Sequence, residues 1–509
     1  MVQSYGSGRL PQYPQAYWLE SVTIPEFPAL EEDVHVDVAI VGGGITGITS
    51  AYLLAQKGVK VGLVESGRLL NGTTGSTTAK VTAQHGLIYD ELITTLGVDS
   101  AKLYYEANKL AMDFVKNVEQ QIDCELQEED AYIYTQSADY LQQLVNEMNA
   151  YEKLGIEGAY VASTPLPFSV NGAILMKNQA QFHPLKYLIY FINEITAKGG
   201  LIFEHTPAID ITTGPPRAQV LTKNGAKLSC DQMIIATHFP FEDKTGFYFA
   251  RMHADRSYVL AVKTEKEFPG GMYINAEQPT RSLRYTTING DKLVLFGGDH
   301  HKTGQGIDTF KHYQALETFA EETFGIKEIP YRWSAQDLTT SDKVPYVGKI
   351  TENHDHIFVA TGYRKWGMTN GTVAAQLLTD LILSNESPYE ALYRPTRFHA
   401  TPDLKQLVKD NLDVAKHLIK GKVELIKRQP EDLADDEGAV VTVNGKRAGA
   451  YRDEQGCLHI VDTTCTHMGC ELEWNNGDRS WDCPCHGSRF SIDGDVVEGP
   501  AEHPLQKLD

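Results

Sequence analysis

Two short boxes near the C-terminus place cysteine and histidine close together in the sequence. The first box contains Cys465 and His467, and the second, after a gap of fifteen residues, contains Cys483 and His486. Two thiolates and two imidazoles are the ligands that a Rieske [2Fe–2S] centre requires, with both cysteines on one iron and both histidines on the other. Zinc is the alternative, but the paired ligands of zinc fingers usually lie about two to four residues apart, which Cys465 and His467 fit poorly. The spacing therefore favours an iron–sulfur cluster clamped between two loops.

Each box contains a further cysteine, Cys470 in the first and Cys485 in the second. With these cysteines the pattern resembles the Rieske proteins of respiratory complexes, and the resemblance implies a Cys470–Cys485 disulfide that ties the two cluster loops together. It also implies that Ser488 donates a hydrogen bond to a cluster sulfur and that residues 499–501 cover the cluster as a proline loop. Phe490 stands where that family has a tyrosine, so one hydrogen-bond donor is missing. Because such bonds stabilise the reduced cluster, we expect a reduction potential below the respiratory range.

The composition limits the partners of the chain. Its 509 residues are enough for roughly two or three domains. A total of 67 acidic against 46 basic residues gives a net charge of −21. This charge argues against nucleic acid or an anionic membrane surface as a partner and weakly favours a cationic substrate. No apolar run reaches the length of a membrane span, and the first residues show no secretion signal, so we expect a cytoplasmic protein.

Four of the seven cysteines belong to the two boxes. The others, Cys124, Cys230 and Cys457, are scattered, and we expect them to be small buried side chains. A Cys470–Cys485 disulfide would be unusual in the cytoplasm, but the neighbouring cluster could shield it.

A dinucleotide-binding pattern lies near the N-terminus. An apolar-alternating run at 34–41 leads into a glycine-rich turn, a helical stretch at 48–57 and a second strand at 59–65. In such a βαβ unit glycines let the backbone approach a pyrophosphate, which rests at the N-terminus of the helix, and an acid after the second strand binds the ribose hydroxyls. NAD and FAD share this fingerprint, and a glycine-rich turn of an unrelated α/β protein is the plain alternative. The predicted contacts are Gly42, Gly44, Ile45, Thr46, Gly47 and Glu65.

The hydroxyl-rich stretch 72–80 suits a cofactor with more phosphate and ribitol than a nicotinamide dinucleotide. From this point the chain resembles the FAD-dependent amine and amino-acid oxidoreductases, the D-amino-acid or glycine oxidase superfamily, from about residue 30 to 395. Segments 181–184, 233–238, 342–348 and 359–371 carry the resemblance. It implies that the loop and helix start of the last segment, with a helix at 369–384, face the flavin pyrimidine. Further predicted FAD contacts are Arg68, Thr74, Thr77, Thr78, Lys80, Ala236, Thr237, Gly362, Lys365, Trp366, Gly367, Met368 and Thr369.

The predicted fold class is an α/β FAD-binding Rossmann-like domain with an inserted α+β substrate domain, followed by a small all-β C-terminal Rieske domain. Periodicity predicts helices and strands in the substrate domain and short alternating strands near the C-terminus. The helices are expected at 103–121, 140–154 and 185–198, and the strands at 259–262, 281–287, 292–296, 439–443 and 457–461. The predicted bounds are an N-terminal arm at 1–30, the oxidoreductase at 31–395, a linker with a basic helix (404–420) at 396–421 and the Rieske domain at 422–509.

Four residues are candidates for catalysis. His183, Tyr258 and Arg284 lie in the expected substrate domain; the alternatives are a helix-start hydrogen bond for His183, core packing for Tyr258 and a surface ion pair for Arg284. In amino-acid oxidases of the superfamily an arginine just before the Asp-x-x-Pro segment pairs with the substrate carboxylate. This chain has no arginine there, which favours an amine over a simple α-amino acid. Asp337 could pair with the ammonium of such a substrate, or it could cap a helix or strand.

The run Asp299, His300 and His301 raises the alternative of a non-haem iron site. Adjacent histidines point in different directions on a strand, so we expect loop residues near the flavin edge instead.

Together these features predict an FAD- and Rieske-containing oxidoreductase. The sequence has one dinucleotide fingerprint and no second one for NAD(P)H, so we expect electrons to come from a small amine or amino-acid substrate by hydride transfer to the flavin. The cluster would pass them singly to an external acceptor, either a protein or a quinone. The alternatives are a flavin reductase or monooxygenase component whose cluster an external donor feeds, and a redox sensor with Cys470–Cys485 as its switch.

Overall fold

The structure, a computed structural model, describes residues 8–213, 217–243, 246–288, 290–306, 308–384, 386–397 and 428–508. The linker helix predicted at 404–420 lies outside these residues. None of the described helices combines the length and the apolar character that a membrane crossing would need.

The helices predicted from periodicity are confirmed, and the first of them begins earlier than expected, at Val98. The helices of the described residues are α1 (Tyr17–Glu20), α2 (Ile45–Gln56), α3 (Tyr89–Leu96), α4 (Val98–Glu119), α5 (Leu141–Leu154), α6 (Pro184–Ala197), α7 (Phe310–Phe324), α8 (Gly367–Ser384) and α9 (Glu390–Tyr393). The first strands are β1 (Val34–Val41), β2 (Val61–Val64), β3 (Lys80–Val81), β4 (Gln127–Thr135), β5 (Ala159–Val161), β6 (Gly172–Gln181), β7 (Leu201–Phe203), β8 (Ala208–Thr212), β9 (Ala218–Thr222) and β10 (Lys227–Ile235). The next are β11 (Met252–Thr264), β12 (Met272–Asn275), β13 (Arg281–Ile288), β14 (Asp291–Lys302), β15 (Ile326–Thr340), β16 (Tyr346–Lys349) and β17 (Ile357–Thr361). The C-terminal strands are β18 (Glu437–Val443), β19 (Lys446–Arg452), β20 (Leu458–Val461), β21 (Glu473–Asn475), β22 (Ser480–Asp482), β23 (Arg489–Phe490) and β24 (Val496–Glu498).

The first sheet contains the dinucleotide unit. Its strands run in the order β16-β17-β10-β1-β2-β7, and the antiparallel pair of β8 and β9 extends it from β10. β1 pairs in parallel with both β2 and β10. Residues 38–41 of β1 are all buried, as expected for the central strand of a parallel sheet that is covered on both faces. α2 packs against α6 and α8, so the helix after the glycine-rich turn lies inside the domain.

The second sheet forms the domain predicted to bind the substrate. Its strands run in the order β15-β11-β14-β13-β12-β4-β6-β3, with β5 paired to β6. β11 pairs in antiparallel register with both β14 and β15, and α7 packs against β11 and β14. Tyr258 and Leu260 pack with α7, whereas Val259 and Ala261 lie in the core that the sheet shares with the dinucleotide unit. The sheet therefore separates the cofactor loops from α7, because successive side chains of a strand point to opposite faces.

The C-terminal domain is all-β, as predicted. It consists of two small sheets, with the orders β18-β19-β20 and β21-β22-β23-β24. Trp481 and Phe490 are fully buried in its core beside Cys465 and Cys483. The two cysteine–histidine boxes lie in the loops after β20 and β22, so the same short strands that form the core also hold the loops.

The N-terminal arm packs against both domains. Trp18 is fully buried, and its indole N–H donates to the carbonyl oxygen of Thr77 at 2.7 Å. The carbonyl oxygen of Gln12 accepts a hydrogen bond from Arg479 of the C-terminal domain at 2.7 Å. The guanidinium of Arg332 on β15 donates to the carbonyl oxygen of Pro11 at 2.6 Å.

Two expectations from the sequence are wrong. Asp299, His300 and His301 belong to β14, which continues to Lys302, and do not form a loop. Cys457 is exposed, because it follows the turn that precedes β20, whereas Cys124 and Cys230 are buried as predicted.

Candidate flavin site and iron–sulfur site

The turn between β1 and α2 leaves room for a cofactor to approach the backbone. Gly42 has a φ of +111°, and a Cβ atom there would lie 2.4 Å from the carbonyl oxygen of Ala236. A Cβ atom on Gly47 would lie 2.0 Å from the carbonyl oxygen of Gly42. Only glycine therefore allows α2 to start this close to β1, with its N-terminus beside the turn. This is the cradle in which a dinucleotide pyrophosphate binds, so the residues present fit FAD.

Glu65 lies at the end of β2, beside this turn. Its carboxylate accepts a hydrogen bond from the backbone N–H of Gly43 at 2.7 Å, which fixes it while lone pairs remain for ribose hydroxyls. Arg68, a further predicted FAD contact, pairs with two carboxylates. Its guanidinium lies 2.7 Å from the carboxylate of Glu26 and 3.1 Å from that of the buried Glu204, so it ties the N-terminal arm to the turn.

The hydroxyl-rich stretch lies between the glycine-rich turn and the second sheet. Thr74 accepts a hydrogen bond from the backbone N–H of Ile45 at the start of α2, at 3.0 Å. Thr78 lies against Gly297 of β14, where the methyl group of the threonine is 3.5 Å from the position of a glycine Cβ. Thr77 accepts from the backbone N–H of Ala79 at 2.9 Å, which shapes the loop itself. The stretch thus reaches the face of the sheet that is turned towards the dinucleotide unit.

Lys80 leads from this stretch into the substrate domain. Its ammonium donates to the carbonyl oxygen of Tyr273 at 2.9 Å and to the hydroxyl of Ser282 at 2.7 Å. Burial, assisted by the nearby charge of Arg284, lowers the pKa of Lys80 to about 7.

Arg284 and His183 lie together beside Trp18. Arg284 is buried and donates to the carbonyl oxygen of Ala79 at 2.9 Å, so the surface ion pair considered for it is wrong. The His183 ring accepts a hydrogen bond from the backbone N–H of Lys186 at 3.3 Å and lies 5.0 Å from the indole of Trp18. Burial lowers the pKa of His183 to about 3. The helix-start hydrogen bond considered for His183 is therefore present.

Residues 362–369 bring the dinucleotide unit and the second sheet together. The backbone N–H of Lys365 donates to a carboxylate oxygen of Asp337 at 3.0 Å. The hydroxyl of Tyr363 lies 2.7 Å from the hydroxyl of Thr46 in α2. Of the four predicted catalytic residues, Asp337 is thus the one that the structure brings to the predicted flavin loop.

The same loop holds an unusual backbone conformation. Arg364 and Lys365 have φ values of +48° and +67°, a region that costs L-residues roughly 1–2 kcal/mol each. The Trp366 ring stacks on His85, with 4.8 Å between ring centroids and 19° between ring planes. Such strain is retained where the surroundings fix the backbone, and it is typical of functional loops.

Charged and polar side chains surround the buried Asp337, and the sequence did not indicate this cluster. Asp255 of β11 lies directly opposite Asp337 in the strand register. The ring of His253 lies 3.4 Å from the carboxylate of Asp255, and the ammonium of Lys365 interacts electrostatically with both carboxylates. Burial raises the pKa of Asp337. His300 of β14 joins the group, and its Nδ1 is buried without a hydrogen-bond partner among the described residues.

Tyr258 lies on the opposite face of the sheet from this group. Its hydroxyl is 2.8 Å from Nε2 of His301, and its ring stacks on His312 with 4.9 Å between centroids. This is the core-packing arrangement that the sequence offered as the alternative to catalysis. The structure therefore separates Tyr258 from Asp337.

The two cysteine–histidine boxes converge in the C-terminal domain. The backbone N–H of Gly469 donates to the carbonyl oxygen of Cys465 at 2.9 Å, and that of Gly487 donates to the carbonyl oxygen of Cys483 at 3.1 Å. Each box is thus a tight loop, with its histidine on the same loop as its cysteine.

The donor groups of these loops fit a metal cluster. The thiols of Cys465 and Cys483 lie within hydrogen-bond contact of each other. The rings of His467 and His486 are 5.0 Å apart between centroids, and the Nδ1 atom of each is buried without a partner among the described residues. Two adjacent thiols and two unpartnered imidazole nitrogens form the donor set of a Rieske centre.

Three sulfur atoms lie at the edge of this site. Those of Cys470, Cys483 and Cys485 are within 4.8 Å of one another, and Cys470 and Cys485 form a disulfide, as the resemblance implied. Because that bond consumes two of the three sulfurs, only Cys483 among them remains as a ligand. The hydroxyl of Ser488 accepts a hydrogen bond from the backbone N–H of Ala501, which fixes the predicted proline loop next to the cluster loops.

The second cluster loop rests on the second sheet. The side-chain amide of Gln336 donates to the carbonyl oxygen of Gly487 at 3.1 Å. The ring of Phe249 lies 5.3 Å from that of His486 and 5.9 Å from that of His467. The histidines therefore face the oxidoreductase domain.

A buried network of charges also joins the two domains. Arg256 of β11 lies 3.3 Å from the carboxylate of Asp478 and 2.7 Å from that of Glu498, and Arg489 contacts both carboxylates. Burial alone would raise the pKa of Asp478, but the two guanidinium groups outweigh it and hold that pKa below its usual value.

Comparison with known proteins finds two family models along the chain. Residues 37–381 match the FAD dependent oxidoreductase model, and residues 425–509 match the Rieske [2Fe-2S] domain model. Together they account for both predicted cofactors.

Three known proteins illustrate these likenesses. YhfW of Bacillus subtilis (strain 168), described as a Rieske 2Fe-2S iron-sulfur protein, is 54% identical over 498 residues, which cover 97% of this chain and 98% of that protein. The gamma-glutamylputrescine oxidoreductase of Escherichia coli (strain K12) is 23% identical over 383 residues, covering 72% of this chain and 88% of that protein. The crystal structure of glycine oxidase from Geobacillus kaustophilus has a TM-score of 0.61 at 18% identity, covering 72% of this chain and 99% of that one, which is a likeness of fold.

Proposed function

Because the chain belongs to the FAD-dependent oxidoreductase family and ends in a Rieske [2Fe–2S] domain, we propose that it oxidises a small amine or amino acid and passes the electrons through its cluster to an external acceptor. FAD, when bound, accepts a hydride from the carbon next to nitrogen, and the cluster carries electrons one at a time. The observation that carries the proposal is the packing of the histidine-bearing loops on the sheet that covers the FAD loops.

We assign the irons to Cys465, His467, Cys483 and His486, on the donor set described above. For FAD, the glycine cradle, Glu65 and residues 362–369 support the contacts predicted from the sequence. An acceptor that takes single electrons, a protein or a quinone, would complete the cycle.

The two acids beside the predicted flavin loop favour an amine as substrate. Asp255 and Asp337 lie beside Lys365 and the ring of His253, and Asp337 stands in the region where the related amino-acid oxidases carry an arginine. A substrate ammonium would relieve the excess of negative charge, whereas a substrate carboxylate would add to it. Lys365 and the neighbouring imidazoles of His253 and His300 would suit a carboxylate, so an amino acid remains the second class to test.

An anaerobic titration with a panel of amines and amino acids tests this function. Flavin absorbance and the electron paramagnetic resonance (EPR) signal of the reduced cluster are followed in the same samples. We expect one class to bleach the flavin, after which the Rieske signal grows. If no compound bleaches the flavin while dithionite still gives the signal, electrons enter at the cluster, as in a reductase or monooxygenase component.

Matched serine variants test whether electrons leave the flavin through the cluster. Cys465→Ser should still let the substrate bleach the flavin but should block turnover with an external one-electron acceptor. Cys457→Ser is the control, because this cysteine is exposed in the same domain and lies outside both boxes. Unimpaired turnover of Cys465→Ser with the external acceptor would show that the cluster is not the outlet.

A further inference from the structure

Two consecutive residues of β15 contact the two cofactor sites from opposite faces of the sheet. Gln336 points to the cluster loop and donates to the carbonyl oxygen of Gly487, which lies between His486 and Ser488. Asp337 points to the other face and accepts from the backbone N–H of Lys365 in the predicted flavin loop. Because successive side chains of a strand point to opposite faces, these two contacts are only one peptide unit apart.

The cluster loop is pressed against the sheet at two glycines. A Cβ atom on Gly487 would lie 2.5 Å from the Cβ of Ala254 in β11. A Cβ atom on Gly304, just after β14, would lie 2.4 Å from the backbone nitrogen of Pro484. Because neither position has space for a side chain, the backbone of the loop that carries both second-box ligands touches the sheet directly.

The side chain of Gln336 does more than fill space between the sheet and the cluster loop. Its Nε2 makes the bond to Gly487, but its Oε1 is buried without a hydrogen-bond partner among the described residues. A buried amide oxygen without a partner destabilises the protein, and an apolar side chain of similar size would avoid this cost. Among the described residues the N–H donor thus makes the hydrogen bond of this side chain, and that bond goes to the cluster loop.

We propose that Gln336 is a positioning residue that couples the cluster to the FAD across β15, with Asp337 as its counterpart on the flavin side. The proposal rests on the proposed function only in that electrons pass between the two cofactors, in whichever direction. The step is the movement of one electron, so that one cofactor is oxidised and the other reduced while no bond forms or breaks. Gln336 holds the loop of His486 on the sheet, and Asp337 holds the loop of Lys365 on the same strand.

Pulse radiolysis of the holoenzyme tests the coupling without any substrate. Methyl viologen radical supplies single electrons to the cluster, and absorbance then reports their passage to the flavin. Loss of one hydrogen bond changes the population of a docked loop by roughly tenfold, so we expect Gln336→Met to slow the passage by a similar factor. The same variant should lower the reduction potential of the cluster, because a donor to the carbonyl next to a ligand is lost.

Two further comparisons separate donation from packing. Gln336→Glu keeps the shape but cannot donate from an ionised carboxylate, so it should be slow like Gln336→Met. Gly304→Ala should also slow the passage, because its methyl group would displace the cluster loop. Gly306→Ala is its control: both glycines have positive φ, of +72° and +111°, but nothing lies within 4 Å of a Cβ on Gly306.

Wild-type rate and wild-type potential in Gln336→Met would overturn the assignment of Gln336. Equal rates in Gly304→Ala and Gly306→Ala would overturn the role of the loop contact, and absence of any passage in the wild type would overturn the coupling as a whole. Failure of the proposed function looks different, because a flavin that no amine bleaches can still receive an electron from the viologen through the cluster.

Discussion

Replacing Arg256 with methionine should loosen the Rieske domain from the sheet. The side chain of Arg256 is 1% exposed and lies between the carboxylates of Asp478 and Glu498. Removing one partner of a buried ion pair costs about 3–5 kcal/mol, because the opposite charge stays buried without compensation. Arg489 contacts both carboxylates and compensates in part, so we expect the lower end of this range. A loss of about 3 kcal/mol corresponds to roughly a hundredfold change in the equilibrium between docked and released domain.

Native-state hydrogen exchange of residues 474–490, followed by mass spectrometry, measures this opening. Lys263→Met is the matched control, because Lys263 lies on the same strand and pairs with Glu328 of β15 at 2.7 Å, with side chains 38% and 56% exposed. Exposed pairs of this kind contribute at most about 1 kcal/mol. If exchange in Arg256→Met is no faster than in Lys263→Met, the buried network does not hold the domain and the reasoning is refuted. Adding Asp478→Asn to Arg256→Met should recover part of the loss, since the unpaired charge is then gone.

Three further predictions concern the cofactor sites and a buried lysine. Phe490→Tyr should raise the reduction potential of the cluster, because a hydroxyl could donate to a cluster sulfur; a redox titration without a shift would contradict this account. Gly47→Ala should yield protein without bound FAD, since its Cβ would lie 2.0 Å from the carbonyl oxygen of Gly42, whereas Gly72→Ala, with nothing within 4 Å of its Cβ, should keep the wild-type flavin content in absorbance spectra. Lys80→Met should flatten the rise of stability with pH: burial lowers the pKa of Lys80 to about 7 in the folded protein, against about 10.4 in the unfolded chain. Between these two pH values the unfolded chain binds one proton more than the folded protein. The contribution of Lys80 to the free energy of unfolding is therefore complete at high pH and is lost as the pH falls towards 7. Equal slopes of the thermal midpoint against pH in the variant and the wild type would rule this contribution out.

The features that the sequence predicted well are local in the chain. Each cluster loop carries its cysteine and histidine within a few residues, and the glycine-rich turn, α2 and β2 follow one another directly. Spacing and residue type are sufficient in such cases because the geometry is set by one loop or one βαβ unit. The cluster followed from its two boxes, whereas FAD, the fold class and the oxidoreductase activity were implied by the family resemblance of residues 30–395; the family matches confirm all of them.

The features that the sequence missed depend on strand register. Asp255 and Asp337 meet because β11 and β15 pair in one particular alignment, and Gln336 meets Gly487 only after the domains dock. Residue type alone could not decide which face of β11 Tyr258 would occupy, because a shift of one residue reverses the face of every side chain. The position of Asp255 could have been predicted relative to Tyr258. The two residues lie three positions apart on the same strand, so their side chains point to opposite faces of the sheet.

The docking geometry also separates an electron carrier from a redox sensor. Cys485 lies between Pro484, which touches Gly304, and His486, which packs against Phe249. A redox sensor would have to reduce the Cys470–Cys485 disulfide each time it signals. Reduction would therefore free the loop that rests on the sheet. Electron transfer requires the opposite, a loop that stays closed while the cluster changes its charge. The buried ion network and the close glycine contacts all act to keep the loop in place, which favours a conduit between the two cofactors over a switch.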